Sequence, residues 1–561
     1  MYIRKLSVRF SSVFLILILA LLFFSLKLFF IQFFRSAYLT SLYEKQHNNS
    51  IKLEPIRGTI YDRKLRPLAL NIVVYSLYAN PRIMKKEQKE KAVEVLAGIL
   101  NLPADDMRER LDKKKYFVWL ARKLPMDKVE EIKALKLKGL SFMKESKRYY
   151  PNQSLGAHLI GFAGIDNQGL EGLELFNDRY LKGEYGWAQI LQDAKQRQLL
   201  IEKSYVPPRD GLSLVLTIDE TIQYIAERAL DKAMKENHAK AATIIVMDPR
   251  TGEILAMANR PTYNLAEVTS SNVESRTNRG IAFVYEPGSV FKIVTAAAAL
   301  EEGKFTETDK VFCENGEYRV ANHTLHDHDP YGTLTFSEVI EKSSNIGTVK
   351  IAQKLGPATI YKYGKLFHFG DKTGIDLEGE VNGIFKSPSQ WSKVTISAVP
   401  MGQEVTVTPL QLLSAISAIA NDGVFMKPFV VKYIKDNKDE LIKDVEPQIG
   451  DRAISVQTAQ RMKVILTKVV DNGTGKKAQI PGVRVAGKTG TAQKVSNGLY
   501  SHNKFYASFM GFAPVENPRL AAVVVFDEPH PQYFGGSVSA PVFQEVIGDA
   551  LKYLNANQPG S

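Results

Sequence analysis

A long apolar run near the N-terminus, from Val13 to Phe34, limits what this chain can fold into. Only Ser25, Lys27 and Gln32 interrupt it, and as a helix its 22 residues extend about 33 Å at about 1.5 Å each. That length matches one hydrocarbon core of about 30 Å. The run therefore predicts a transmembrane helix, with Lys27 reaching the interface or facing a partner helix.

Basic residues before the run predict its orientation. Arg4, Lys5 and Arg9 favour a cytoplasmic N-terminus, because positively charged flanks tend to stay inside. No small-residue cleavage site follows, since Phe34 and Arg35 occupy the place where one would lie. We therefore expect an uncleaved signal anchor rather than a removed signal peptide, with the rest of the chain outside the cytoplasmic membrane.

The composition narrows the class of protein. With 561 residues the chain has room for about two to four domains, and 45% hydrophobic with 24% charged residues is a globular composition. The net charge of +13 suits anionic lipid headgroups or acidic wall polymers, or is ordinary solubilising charge. No zinc-ligand spacing or base-reading basic helix indicates nucleic acid, and the one cysteine, Cys313, allows no intrachain disulfide.

The pattern of the sequence changes near residue 210. Residues 40 to 210 mix short strand-like and helical pieces. Beyond them, an alternating strand over 212–218 precedes an amphipathic helix over 221–236 and a strand–turn–strand segment over 243–258. Helices follow, and strands return after residue 483. This order predicts an α+β fold in which helices pack on an antiparallel sheet.

Three short strings together predict a serine acyl-transfer site: Ser289-Val-Phe-Lys292, Ser343-Ser-Asn345 and Lys488-Thr-Gly490. Such strings supply an activated serine, a proton relay and a cationic strand that holds a carboxylate. Each string is weak evidence alone, because other segments fit the same patterns, namely Ser141-Phe-Met-Lys144, Ser270-Ser-Asn272, Ser501-His-Asn503 and Lys372-Thr-Gly374.

Local context selects the first set. A proline and a glycine precede Ser289 and the helix-forming stretch 290–300 follows, so we expect Ser289 at a helix N-terminus with Lys292 on the same face. Burial there would lower the pKa of the lysine enough for it to take the serine proton. Ser343 begins a turn between two helices, and Lys488 lies on a strand whose glycines are expected to let a ligand approach the backbone.

These residues resemble the class B penicillin-binding proteins, the membrane-anchored D,D-transpeptidases of bacterial wall synthesis. Segment 57–63 resembles the signature of the family's N-terminal pedestal, and segments 286–289 and 487–491 match its catalytic segments. The middle string, S-S-N, is usual in this class. The implied order is a cytoplasmic tail (1–12), a transmembrane signal anchor (13–34), an elongated pedestal or dimerisation-type domain (35–210), a serine β-lactamase-like transpeptidase domain (211–557) and a tail (558–561).

The resemblance also implies a mechanism. A serine would attack the penultimate D-Ala carbonyl of a peptidoglycan stem peptide, and the amine of a second stem would resolve the acyl-enzyme. No metal or organic cofactor and no nucleic acid is implied. β-Lactams are expected to acylate the same serine, and a SEDS-family glycosyltransferase with other divisome membrane proteins is the implied partner. The implied catalytic residues are Ser289, Lys292, Ser343 and Asn345, and the implied substrate-binding residues are Lys488, Thr489, Gly490 and Thr491.

Motifs near the C-terminus favour the division branch of the class over the elongation branch, namely segments 508–514, 517–519, 535–536 and 540–543. Three alternatives stay open at this point: an elongation-type member, a D,D-carboxypeptidase or β-lactamase of the same fold, and a non-enzymatic β-lactam sensor or scaffold. The long pedestal and the retained anchor argue against the carboxypeptidase and the β-lactamase. The short N-terminal tail argues against a sensor.

Two further clusters have simpler explanations than catalysis. Arg57, Asp62 and Arg63 are expected to form a buried salt-bridge network in the pedestal. The segment His326-Asp-His-Asp329 resembles a metal cluster, but it lacks a third ligand at helical spacing, so we do not expect it to bind a metal.

Overall fold

The structure, a computed structural model, describes residues 2–36, 38, 49–113, 115, 117–192, 198–320, 323–496 and 499–556. Packing divides the chain into a smaller unit, residues 1–55 with 183–210, and a larger unit, residues 56–182 with 211–561. The predicted border near residue 210 coincides with one edge of the smaller unit, and as a domain border it remains a prediction. The predicted tail, 558–561, lies outside the described residues.

The described helices, in chain order, are α1 (Tyr2–Phe34), α2 (Lys86–Leu100), α3 (Ala104–Asp112), α4 (Met126–Ala134), α5 (Ala157–Ile160), α6 (Gly172–Phe176), α7 (Asp178–Leu181), α8 (Glu220–Glu236), α9 (Val273–Arg276), α10 (Arg279–Ala282), α11 (Lys292–Glu301), α12 (Phe336–Glu341), α13 (Asn345–Leu355), α14 (Pro357–Leu366), α15 (Thr395–Ala398), α16 (Pro409–Ala420), α17 (Val456–Asp471) and α18 (Gly535–Ala556).

The described strands are β1 (Asn49–Leu53), β2 (Ile60–Tyr61), β3 (Pro67–Ala79), β4 (Val118–Leu124), β5 (Leu140–Tyr149), β6 (Gly186–Gln192), β7 (Gln198–Val206), β8 (Ser213–Leu216), β9 (Ala241–Met247), β10 (Ile254–Arg260), β11 (Lys310–Phe312), β12 (Glu317–Val320), β13 (His323–His326), β14 (Thr333–Thr335), β15 (Val424–Met426), β16 (Val431–Lys435), β17 (Leu441–Asp444), β18 (Ile449–Arg452), β19 (Ala486–Ser496), β20 (Leu499–Ala513) and β21 (Leu520–Asp527).

Helix α1 of the smaller unit carries the predicted membrane span. Residues Val13–Phe34 are helical throughout and unburied, and by length and composition this described segment is suited to cross a membrane. In the same unit, β1, β6 and β7 form an antiparallel sheet in the order β1-β6-β7.

The larger unit begins with a mixed sheet in the order β17-β16-β8-β2-β3-β4, to which β5 adds by pairing with β3. Strands β2 and β8 pair in parallel, with Ile60 opposite Leu214, so residues from both segments of this unit share one sheet. Helices α2 and α4 pack against strand β3 of this sheet. Between them lies a small apolar core, in which Leu77, Val93 and Ile132 are buried.

A buried ion network stabilises this region, as the sequence predicted for Arg57. The Arg57 guanidinium contacts Glu174 and Asp178, each at 2.6 Å, and Arg148 contacts the other oxygen of Glu174 at 2.6 Å. Arg57 and Glu174 are wholly buried, so the pairing satisfies charges that would otherwise be costly away from water. The other predicted members pair separately, Asp62 with Arg66 at 2.7 Å and Arg63 with Glu253 at 3.1 Å.

The second sheet of the larger unit is antiparallel and has the order β10-β9-β21-β20-β19. Side chains of β9 alternate between its faces: Ile244 and Val246 pack with α8 and α18, whereas Ile245 and Met247 pack with α11 and α16. The helices therefore cover both faces, and the predicted α+β architecture is confirmed. Helix α11 is buried from Lys292 to Leu300, and apart from Lys292 and Thr295 this buried stretch is apolar.

Candidate active site

Ser289 lies in a 3-10 turn, Gly288–Phe291, that leads directly into α11. The backbone at residue 288 has a φ of +59°, which glycine adopts without strain. Because α11 is buried along its length, the turn is fixed relative to the core. The expected position at a helix N-terminus is confirmed, with Lys292 as the first α-helical residue.

The middle string forms the turn between α12 and α13. Helix α13 begins at Asn345, and the Ser344 hydroxyl accepts a 2.9 Å hydrogen bond from the Gly347 amide in its first turn. Ser343 has a φ of +59°, the left-handed region that residues with a Cβ rarely adopt. Ser343 and Asn345 line the same cleft as Ser289, as the sequence predicted.

The third string, residues 488–491, lies on β19 at the edge of the antiparallel sheet. Lys488 is fully buried. At Gly490 a Cβ atom would stand 2.4 Å from Ser508 Oγ and 3.0 Å from the Pro287 carbonyl oxygen. The atoms that approach Gly490 most closely therefore belong to the protein itself, and the approach of a ligand to this backbone stays a prediction. A role of Gly490 in substrate binding remains a prediction.

A hydrogen-bond network joins the three strings. The Lys292 Nζ donates to the Ser343 carbonyl at 2.5 Å, to Asn345 Oδ1 at 2.8 Å and to the Ser343 hydroxyl at 3.2 Å. The Lys488 Nζ donates to the same hydroxyl at 2.9 Å and to the Thr489 carbonyl at 3.1 Å. Ser343 Oγ is thus the atom through which the two buried lysines are connected.

Burial changes the ionisation of both lysines. The pKa of Lys292 is lowered from 10.5 to about 7, chiefly because burial disfavours the ammonium, and the nearby carboxylate of Asp327 partly offsets this. The pKa of Lys488 is lowered well below its ordinary value by burial and by repulsion from Lys292. A lysine with a pKa near 7 can serve as a general base at neutral pH.

The strings open onto a cavity of about 420 Å³. Its floor includes the predicted site residues Ser289, Ser343, Asn345, Thr489 and Thr491. Lys342, Lys476 and Lys477 also line it, whereas Asp329 is the acidic residue among the described lining residues. This excess of cationic side chains suits a ligand that carries carboxylates.

Two family models match the chain: the penicillin-binding protein dimerisation domain over residues 52–216, and the penicillin binding protein transpeptidase domain over residues 242–548. The chain is 38% identical to stage V sporulation protein D of Bacillus subtilis, over 99% of this chain and 87% of that protein. It is 34% identical to peptidoglycan D,D-transpeptidase FtsI of Escherichia coli, over 89% of this chain and 84% of that protein. The chain belongs to the class B penicillin-binding proteins.

Solved structures agree with this membership. Penicillin binding protein 3 from Mycobacterium tuberculosis, complexed with aztreonam, matches with a TM-score of 0.70 at 27% identity, over 90% of this chain and 97% of that one. Penicillin binding protein 2X from Streptococcus thermophilus matches with a TM-score of 0.74 at 26% identity, over 90% of this chain and 80% of that one. The predicted fold class is therefore also confirmed by comparison.

This class B penicillin-binding protein is a serine-type peptidoglycan D,D-transpeptidase, which confirms the activity predicted from the strings. Its family binds peptidoglycan stem peptides and β-lactams. The N-terminal apolar helix, together with the relatives, indicates single-pass membrane anchoring.

The competing strings of this penicillin-binding protein lie elsewhere. Ser141 and Lys144 are on strand β5, where side chains three residues apart face opposite sides of the sheet. The Lys372-Thr-Gly374 string lies in a loop, where the Thr373 hydroxyl donates to Glu380 at 2.6 Å. These two competing strings therefore lie outside the cleft that Ser289 lines, as their local context predicted.

Asp327 is the neighbour of the site that sequence reasoning missed. Its carboxylate accepts a 2.5 Å hydrogen bond from the backbone amide of Asn345. Within the described ranges, no group of three or more His, Cys, Asp or Glu side chains is placed to hold a metal ion. One of the two acidic residues of the His326-Asp-His-Asp329 segment, Asp327, contacts the middle string instead. No local pattern predicts this contact, because the tertiary fold brings the two segments together.

Proposed function

We propose that this transpeptidase cross-links peptidoglycan through an acyl-enzyme at Ser289, with Lys292 as the base. The observation that supports this most directly is the network in which Lys292 and Lys488 meet at the Ser343 hydroxyl, in the cleft that Ser289 lines. A neutral lysine that follows the serine at the start of the same helix is suited to take its proton.

In the first half-reaction, the Ser289 Oγ bonds to the penultimate D-Ala carbonyl carbon, and its proton passes to Lys292. The backbone N–H groups of Ser289 and Thr491 would stabilise the resulting oxyanion, each contributing about 3 kcal/mol. The C–N bond to the terminal D-Ala then breaks. Ser343, whose hydroxyl accepts from both lysines, relays the proton from Lys292 to the departing amine.

Substrate binding also prepares the base. Lys488, with Thr489 and Thr491, would hold the terminal carboxylate of the donor stem. A carboxylate beside an ammonium stabilises the charged form, so binding favours a proton on Lys488 and leaves Lys292 neutral. Asn345 Oδ1, at 2.8 Å from the Lys292 Nζ, keeps that amine in position.

In the second half-reaction, the amine of a neighbouring stem attacks the acyl carbonyl. Lys292 takes the proton of the amine and returns one to Ser289 Oγ as the ester C–O bond breaks, which restores the enzyme. The products are a cross-linked dimer of stems and the D-Ala released in the first half-reaction. The lysines that line the cleft suit stem peptides, because these carry carboxylates besides the terminal one.

A labelling experiment with a fluorescent penicillin tests the nucleophile. We expect Ser289→Ala to abolish covalent labelling of the full-length protein in detergent. Ser141→Ala is the matched control, because Ser141 belongs to the other S-x-x-K string and lies on strand β5, so this variant is expected to label like the wild type. Undiminished labelling of Ser289→Ala would show that Ser289 is not the nucleophile.

The membrane arrangement and the cellular site also belong to this proposal. We place the N-terminus in the cytoplasm and the catalytic domain outside, with the pedestal ending near residue 210. FtsI of Escherichia coli is named as a peptidoglycan D,D-transpeptidase, and its similarity, with the C-terminal motifs, favours a septal role. A SEDS-family glycosyltransferase and other divisome membrane proteins are the partners that this role implies.

Sporulation is the second candidate setting, because one relative, 38% identical over nearly the whole chain, is named stage V sporulation protein D. Depletion in the native host, imaged with a fluorescent D-amino acid, separates the settings. Filaments without septal label support the division role. Normal vegetative septa with defective spores support the sporulation role, and rounded cells that still divide indicate the elongation branch.

A further inference from the structure

The segment after β13 crosses the start of α13 and bonds to it at several points. Asp327 Oδ1 accepts from the backbone amides of Asn345 at 2.5 Å and Ile346 at 3.0 Å, and its Oδ2 accepts from the Ser344 hydroxyl at 2.6 Å. The carbonyl of His326 accepts from Asn345 Nδ2 at 2.9 Å. All three residues that follow Ser343 are therefore held by this segment.

Holding these residues matters because the preceding one is strained. The φ of +59° at Ser343 is unfavourable for a residue with a Cβ and persists only where the surroundings fix it. The strain points the carbonyl and the hydroxyl of Ser343 at Lys292. If the start of α13 moved, both contacts of Lys292 would be lost, together with the contact to Asn345 Oδ1.

We propose that Asp327 is a positioning residue of this transpeptidase, whose carboxylate clamps the start of α13 so that Ser343 and Asn345 hold the base Lys292 in place. The inference rests on the proposed function in one respect, the role of Lys292 as base. It gives a role to one of the two acidic residues in a segment that otherwise resembles a metal cluster.

Charge is the second part of the argument. The backbone amides in the first turn of α13 carry partial positive charge, and Lys292 contacts this helix at Asn345, so the helix end disfavours the ammonium form of Lys292. The Asp327 carboxylate counters this, and its attraction raises the pKa of Lys292 against the larger effect of burial. The charge of Asp327 also acts on Tyr331 and Cys313, and it raises the pKa of both groups. Both are neutral at pH 7, so Asp327 is the carboxylate that acts on Lys292 there.

Two substitutions separate geometry from charge. Asp327→Asn keeps the shape and one acceptor oxygen but loses the charge. Asp327→Glu keeps the charge but displaces it by one methylene. We measure the rate of Ser289 acylation by a fluorescent penicillin against pH, using the full-length protein in detergent.

For Asp327→Asn we expect the acid limb of the profile to move to lower pH, because Lys292 loses the attraction that raises its pKa. For Asp327→Glu we expect the limb to stay and the plateau rate to fall about 10²-fold, the effect of about 1 Å of misplacement in an active site. Asp376→Asn is the matched control, because Asp376 also accepts two backbone amides, from Val430 at 2.7 Å and Val431 at 2.8 Å, away from the cleft. It is expected to lower the Tm and to leave both limb and plateau unchanged.

Wild-type plateau and limb in both Asp327 variants would overturn the clamp. So would a lower plateau with an unmoved limb in Asp327→Asn, because that result describes a merely structural residue. Either outcome leaves the nucleophile untouched, since loss of labelling in Ser289→Ala is measured separately. A Tm recorded for each variant ensures that only folded protein is compared.

Discussion

Titrating Lys292 perturbs the proposed chemistry most directly. Its side chain is fully buried and donates to three oxygen atoms of Ser343 and Asn345. Because burial lowers its pKa from 10.5 to about 7, the ammonium is destabilised by about 5 kcal/mol relative to water. At pH 7 about half of the Lys292 side chains are neutral, against about one in 3000 for an ordinary lysine.

The second-order rate constant for acylation by a penicillin should follow the neutral fraction of Lys292. We expect it to rise about tenfold per pH unit below pH 7 and to level off above it, so that at about pH 5 it is about 1% of the plateau. Lys292→Arg retains the charge and cannot lose it. We expect that variant to acylate at least about 10³-fold more slowly at every pH.

Stopped-flow fluorescence with excess fluorescent penicillin, from about pH 5 to about pH 9, measures this rate constant. Lys144→Arg is the control, because Lys144 is the lysine of the competing string on β5. A rate constant that does not change over this range, or a midpoint near 10, would refute the reasoning that burial converts Lys292 into a neutral base.

Three further measurements test other parts of the structure. Arg57→Ala leaves Glu174 with one of its two buried arginine partners. We expect this variant to lower the free energy of unfolding, measured by urea titration, by about 3–5 kcal/mol. A loss below about 1 kcal/mol would show that the ion network does not stabilise the fold. His158 is buried and its pKa is lowered to about 4, so the unfolded chain binds more protons between pH 6.5 and 4, and stability should fall by about 3 kcal/mol as the pH drops through that window. Urea titrations of His158→Phe are expected to lack this slope. Replacing Lys476 and Lys477 by alanine should reduce, by about fivefold at low salt, the ratio of the acylation rate for carbenicillin, whose side chain is anionic, to that for ampicillin, whose side chain is cationic. An unchanged ratio would show that these two lysines do not select the substrate.

Much of the fold follows from periodicity in the sequence. The predicted helix over 221–236 begins one residue after the start of α8 and ends at the same residue as α8. The predicted strand–turn–strand segment over 243–258 corresponds to β9 and β10 with the turn between them. Helix α8 follows the 3.6-residue repeat because it buries one face, whereas β9 is a nearly continuous apolar run because both of its faces are buried. The order of the three strings, together with their helical and strand settings, was likewise readable from local sequence.

The contacts that complete the site were not readable in this way. Lys488 bonds to Ser343 across 145 positions of the chain, and Asp327 contacts the start of α13 from the segment that follows β13. Neither pairing leaves a periodic or compositional mark, since both depend on where the fold places two turns. The left-handed backbone conformation at Ser343 could not be predicted from the sequence either, because the residues that usually adopt it are glycine and asparagine.

Stability and chemistry oppose each other at this site. Two lysines share one hydroxyl inside the core, and burial alone disfavours a charge on either. A water that reached Lys292 would relieve that penalty, return its pKa toward the ordinary value and remove the base. In the proposed mechanism, the buried helix α11 and the buried first part of β19 would therefore assist catalysis by excluding water. Substitutions that loosen α11 far from Ser289 should thus slow acylation before they unfold the protein.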